Sequence, residues 1–143
     1  MASDFWNDIE DFFENYVAAL NANDEDVILS FLATPHGIRT DNETVFLETT
    51  EQLRTEMDAM LLTYEQQNVE IMDARLMECT ELPGDAAAAR LSWNLRNVDG
   101  DSLLAFDTLY TLAAEDGVWA IVAVDASGEM AARDAAGWIP QPL

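Results

Sequence analysis

The sequence predicts an α+β domain in which three N-terminal helices pack on a curved antiparallel sheet forming a cone. Two patterns and one bulk property predict it. Apolar residues recur at helical spacing in the first part of the chain and alternate in the second. Two Asp-Gly pairs turn the alternating runs back on themselves. The chain has 143 residues, half of them hydrophobic, which is enough to close one core.

The first helix is expected over Asp4 to Asn21. Phe5, Ile9, Phe12, Phe13, Tyr16, Val17 and Leu20 make one apolar stripe, with acids opposite. Asn21-Ala22-Asn23-Asp24 breaks it, and Asn23 or Asp24 suits the cap of a second, shorter helix. That helix carries Val27, Ile28, Phe31 and Leu32, and stops before Thr34-Pro35. Short strands follow at His36 to Thr40 and Thr44 to Glu48, around the turn-forming pair Asp41-Asn42. Thr49-Thr50-Glu51-Gln52 offers a capping box for a third helix that buries Leu53, Met57, Met60, Leu61 and Tyr64.

Strands are expected at Val69 to Glu81, Ala86 to Val98, Leu103 to Ala113 and Val118 to Asp125, joined as a meander. In the second of these, Ala87, Ala89, Leu91, Trp93 and Leu95 share one face, while Arg90, Ser92, Asn94 and Arg96 share the other. Residues 1–126 are read as one domain. Residues 127–143 are read as a C-terminal tail with a short helix around Glu129 to Ala136, and with Trp138 and Ile139 docked on the same chain or a partner. A long twisted meander curls around the third helix and leaves one end open, where a pocket can form.

Charge narrows the partners. Six arginines, no lysine and 28 acids give a net charge of −22. Such a body repels polyanions, so neither nucleic acid nor an anionic membrane surface is expected as a partner. The acids are spread along the chain and read best as a solvated surface, with a steering field for cations as the competing reading. Cys79 is the only cysteine, no apolar run spans a bilayer, and Met1-Ala2-Ser3-Asp4 does not open like a secretory leader. Cytoplasm is the expected compartment.

Two stretches carry a family likeness. Tyr16-Val17-Ala18-Ala19-Leu20-Asn21-Ala22 followed by Asp24 looks like the first-helix end of ketosteroid isomerases, and Asp116-Gly117-Val118-Trp119-Ala120-Ile121-Val122 looks like a last-strand signature. With the element order, they make the chain resemble the nuclear transport factor 2-like superfamily, which includes SnoaL-like cyclases and ketosteroid isomerases. The resemblance implies the cystatin-like α+β barrel and an apolar small-molecule pocket. It also implies, for a catalytic member, a cofactor-independent isomerase or lyase acting on a carbonyl compound, with no metal. The non-catalytic alternatives are a ligand-binding module and a homodimer formed through the outer sheet face of Arg90, Ser92, Asn94 and Arg96.

Carried over by position, the isomerase pattern makes Tyr16 the phenol that donates to the substrate oxygen and Asp107 a protonated second donor. Ungapped counting puts Thr40 at the place of the base, with Asp41 one residue later, so isomerase chemistry on this pattern requires Asp41. The residues themselves leave each role open. Tyr16 lies on the apolar stripe and is either a pocket donor or a packed ring. Asp107 is either an inward carboxyl whose pKa burial raises, or an outward one paired with Arg90 or Arg96. Asp41 sits where aspartate is common for turn geometry alone. The lone His36 rules out a multi-histidine metal site and reads as a surface strand residue or a group at the pocket mouth. Met57, Met60, Met72 and Met77 read as core, with cavity lining the alternative.

Overall fold

A computed structural model of the chain describes residues 3–40 and 43–138. Helix α1 (Ser3–Ala22) buries Ile9, Phe13, Tyr16, Ala19 and Leu20, the stripe expected from the spacing. Asn23 ends it in the left-handed region at φ 55°, a conformation asparagine tolerates. Asp24 then caps α2 (Glu25–Leu29) by accepting a hydrogen bond from the Val27 amide. This helix is shorter than its apolar run suggested. The Phe31 carbonyl accepts from the Ile121 amide at 2.8 Å, so the chain has already joined the sheet where the helix was expected to continue.

Strands β1 (Leu32–Thr40) and β2 (Glu43–Leu47) pair antiparallel, and α3 (Thr50–Gln66) opens on the Thr49/Gln52 capping box. The meander follows as β3 (Ile71–Leu82), β4 (Ala86–Arg96), β5 (Ser102–Glu115) and β6 (Val118–Asp125). The six strands form one curved sheet in the order β2-β1-β6-β5-β4-β3, which stays open at β2 and β3. The pairing of β1 with β6 is parallel, and the other four are antiparallel. The α+β architecture is therefore the expected one, with one parallel seam between strands far apart in sequence. On β4, Ala87, Ala89, Leu91, Trp93 and Leu95 all point into the core, as their alternation requires.

Beyond β6 the described chain continues into the short helix expected there. Helix α4 (Ser127–Ala135) packs on β5, and Trp138 packs against the main core. Gly137, at φ 77°, closes α4 with hydrogen bonds from its own amide to Asp134 and from Trp138 to Arg133. Ile139, also expected to dock, lies outside the described residues. At the other end of α4, a Cβ on Gly128 would stand 2.5 Å from the Asp107 carbonyl oxygen. Only glycine lets the helix come this near the strand.

Gly128→Ala tests that approach with opposed signs. Helix propensity alone predicts a gain of up to about 1 kcal/mol. Steric conflict with the β5 backbone predicts a net loss of roughly 1–3 kcal/mol in urea denaturation. We expect the loss; a gain would mean that α4 rides free of β5.

Candidate functional site

Between the helices and the concave sheet lies a cavity of about 250 Å³. Its apolar walls come from β1, α3 and β6, through Leu32, Ile38, Met57, Met60, Ile121 and Val124. A smaller recess of about 40 Å³ shares Tyr16, Met60, Tyr110 and Glu129 with it and continues toward Trp93 and Phe106. A wider groove of about 400 Å³ runs outside, between α1 and α3, where Asp58, Glu65 and Glu70 are exposed to water. The inner cavity is the one in which polar groups lose their solvent.

Tyr16 reaches this cavity from α1, as its place on the apolar stripe allows. Its ring is 6% exposed and meets Phe13 and Phe31 edge-on. Burial, then the negative charge of Glu129, pushes the phenol above its ordinary 10, so it stays a proton donor at neutral pH.

Asp107 does not share that cavity. It is exposed on the outer sheet face, where Arg90 Nη1 donates to its Oδ2 at 2.8 Å while Nη2 holds Glu78 at 2.6 Å. Its neighbour in the pairing with β4 is Ser92, already an outward residue. The expectation of an inward, protonated Asp107 is corrected to the outward, ion-paired one. Asp41 lies outside the described residues, and Thr40 ends β1 without lining the cavity.

The inward place next to Asp107 belongs to Thr108. This side chain is 4% exposed, lines the cavity, and leaves Oγ1 with no hydrogen-bond partner among the described residues. Two residues on, Tyr110 shares its face; the Trp93 indole donates to the Tyr110 hydroxyl at 3.1 Å.

His36 is also inside. It is 4% exposed, and its Nδ1 lies 3.3 Å from the Ile121 carbonyl oxygen. A carbonyl can only accept, so Nδ1 carries the hydrogen and neutral His36 keeps a lone pair on Nε2. Burial lowers the imidazole below its usual 6.5, and the Ile121 bond only partly opposes it. The reading of His36 as a surface strand residue fails because β1 pairs with β6 and the ring faces the cavity beside the Ile121 carbonyl, a contact local sequence does not reveal.

From α4, Glu129 enters the cavity wall at 8% exposed. Three donors converge on its Oε2: the Tyr64 hydroxyl at 2.6 Å, and Arg133 through Nε at 3.0 Å and Nη2 at 2.5 Å. The Arg133 guanidinium also stands 5.4 Å from the centre of the Tyr64 ring. Burial and the adjacent carboxylate hold Tyr64 protonated. This triad ties α4 to α3 across the cavity. Met57 and Met60 line the cavity as well as filling core, Met72 borders the recess, and Met77 is exposed on β3.

Two outcomes follow from these placements. Asp107→Asn should leave ligand affinity in the cavity unchanged and barely move the thermal midpoint, because exposed ion pairs contribute little; a loss of affinity would return Asp107 to the site. For His36, the unfolded chain protonates near 6.5 while the fold resists protonation, so the unfolded state binds more protons in that range. Its stabilising share is complete above pH 6.5 and drains as pH falls toward the lowered folded value. Denaturation midpoints measured across this window should decline, and less steeply in His36→Asn; equal slopes would place the imidazole in solvent.

The comparisons with known proteins agree with this architecture. The family described as NTF2-like protein (DUF6841) matches residues 7–129. No curated protein matches the chain. Among solved structures, Aln2 from a Streptomyces species superposes with a TM-score of 0.69 at 11% identity, covering 94% of this chain and 98% of that one. An NTF2-like protein of unknown function from Shewanella oneidensis gives 0.65 at 15% identity, covering 83% and 95%. A putative calcium/calmodulin dependent protein kinase II association domain from Xanthomonas campestris gives 0.59 at 14%, covering 82% and 83%. At such identities the likeness concerns fold alone. With its family match across most of its length, the chain belongs to the NTF2-like proteins.

Proposed function

We propose that this NTF2-like protein takes a compact, largely apolar carbonyl compound into its inner cavity and works on it by cofactor-independent acid–base chemistry. The observation that carries the reading is His36: a buried neutral imidazole with Nδ1 tied to the Ile121 carbonyl and Nε2 left basic, in the lining of a mostly apolar chamber. In this scheme Nε2 takes a proton from the carbon beside the carbonyl. The electron pair moves onto the carbonyl oxygen, and the Tyr16 phenol donates a hydrogen bond to the charge that develops there. Returning the proton to a different atom completes an isomerisation; expelling a leaving group instead completes a lyase step. The low polarity of the walls strengthens both interactions relative to water.

The reading assigns to His36 the role that the family pattern gave to Asp41, and it needs nothing from Asp107. Exchange in heavy water tests it without knowledge of the natural substrate. Small cyclic ketones incubated with the protein should exchange their α-hydrogens faster than in buffer, followed by proton NMR. His36→Asn, which can keep the hydrogen bond to Ile121, should lower that rate by about 10²-fold or more while leaving ketone binding intact. Wild-type exchange in His36→Asn would sink the base assignment. Binding without any exchange in the parent protein would favour a ligand-binding module of the same fold.

A further inference from the structure

Among the described polar residues of the cavity wall, Thr108 is the one whose side-chain oxygen is both fully buried and without a partner. His36, Thr63, Glu129 and Arg133 each have a hydrogen-bond partner within the protein. The Thr108 hydroxyl is buried and has none among the described residues. Valine has the same shape and strands no hydroxyl, so a threonine here gains only if something in the cavity bonds to it. Strand alternation fixes its direction: Phe106, Thr108 and Tyr110 share the concave face of β5, and Thr108 and Tyr110 both line the chamber.

The surrounding groups decide what that something is. Among the described residues the one cation in the lining, Arg133, is bound to Glu129, and the whole chain carries −22. An anionic guest would therefore meet no uncommitted positive charge and would be repelled from a distance. Acceptors, by contrast, are plentiful: Nε2 of His36, the Glu129 oxygen that takes none of the three bonds, and Glu56 on the exposed side of α3. A guest group that both donates and accepts matches this inventory better than one that only accepts. We infer that the natural guest is an uncharged, hydroxyl-bearing compound that seats an alcohol or phenol oxygen on Thr108 Oγ1. This rests on the pocket reading above and adds the substrate class to it.

Three probes of one shape separate the claims: tetralin, its alcohol tetralol, and the matching tetralin carboxylate. Calorimetric titration of the parent protein should show tetralol bound more tightly than tetralin, and the carboxylate about tenfold or more weaker than tetralol. In Thr108→Val the advantage of tetralol over tetralin, expected to be about two- to tenfold, should vanish while tetralin itself binds as before. The thermal midpoint of the unliganded variant should hold or rise, since a stranded hydroxyl has been removed. If tetralin binds but tetralol gains nothing, or keeps its gain in Thr108→Val, the hydroxyl inference falls and the pocket reading survives. Equal binding of the carboxylate would overturn the uncharged class. Binding of none of the three would overturn both readings.

Discussion

Side chains on a strand alternate between two faces, and in this protein one face of β4 and β5 backs the core, with Thr108 and Tyr110 of β5 also lining the cavity and Trp93 and Leu95 of β4 lining its recess. Everything else depends on the register between those two strands. The Asp99-Gly100 turn together with a one-residue register shift between Leu95 and Arg96 sets it, pairing Leu91 with Thr108, Ser92 with Asp107 and Trp93 with Phe106. A slip of one residue would turn Arg90, Ser92 and Asn94 inward and put five buried residues of β4 in water. Each large apolar side chain lost that way costs about 1.5–3 kcal/mol, so the register is firmly held. The same parity that drives Leu91 and Leu95 inward sends Thr108 into the cavity and Asp107 out to Arg90. Fold and site are one decision.

The second constraint is how a carboxylate survives in the wall of that cavity. An isolated buried charge is expensive, and Glu129 is tolerated only because Tyr64 and Arg133 supply three hydrogen bonds to one of its oxygens. Arg133 sits one turn along α4 itself and Tyr64 on α3, so the Tyr64 share of the compensation exists only when α4 is docked with Glu129 facing Tyr64. Gly128 makes the close approach possible, and the glycine turn at 137 brings Trp138 back onto the core. A segment that reads as an appendage is thereby a working part of the cavity wall.

Much of this was legible in residue order. The α1 stripe, the Thr49/Gln52 box and the two faces of β4 follow from spacing and side-chain chemistry that act within a few residues. Thr108 was legible too, although the resemblance drew attention to its neighbour: counting back from Asp99-Gly100 pairs Asp107 with Ser92, which already belonged to the polar face. His36 and Glu129 were not. His36 is buried because β1 runs parallel to β6, some eighty-five positions away along the chain from Ile121. Glu129 is buried because a short helix docks on a strand. Neither contact leaves a periodic trace, since both partners come from distant sequence. The early end of α2 has the same origin, an inter-strand hydrogen bond from Ile121 that outcompetes a few apolar residues of helical spacing.

Charge acts on two scales here, and separating them explains how so acidic a chain can hold a neutral site. The surface carboxylates face water, where ions screen their field over about 8–10 Å at ordinary ionic strength. Acting alone, that field would favour the protonated imidazole of His36. The direction is the opposite, because losing solvent around the ring outweighs the hydrogen bond to the Ile121 carbonyl, which opposes it. Inside, each charge is answered locally: Arg133 answers Glu129, and the Ile121 carbonyl fixes which imidazole nitrogen holds the hydrogen. Protonation in the cavity is thus set by neighbours a few ångströms away, while the −22 exterior governs which molecules approach. On the proposed reading, a cation drawn to this surface would find the inner carboxylate already matched, and an anion would be repelled before it arrived. On that reading an uncharged guest meets neither obstacle, and the fully buried hydroxyl left without a partner among the described residues of the wall is that of Thr108.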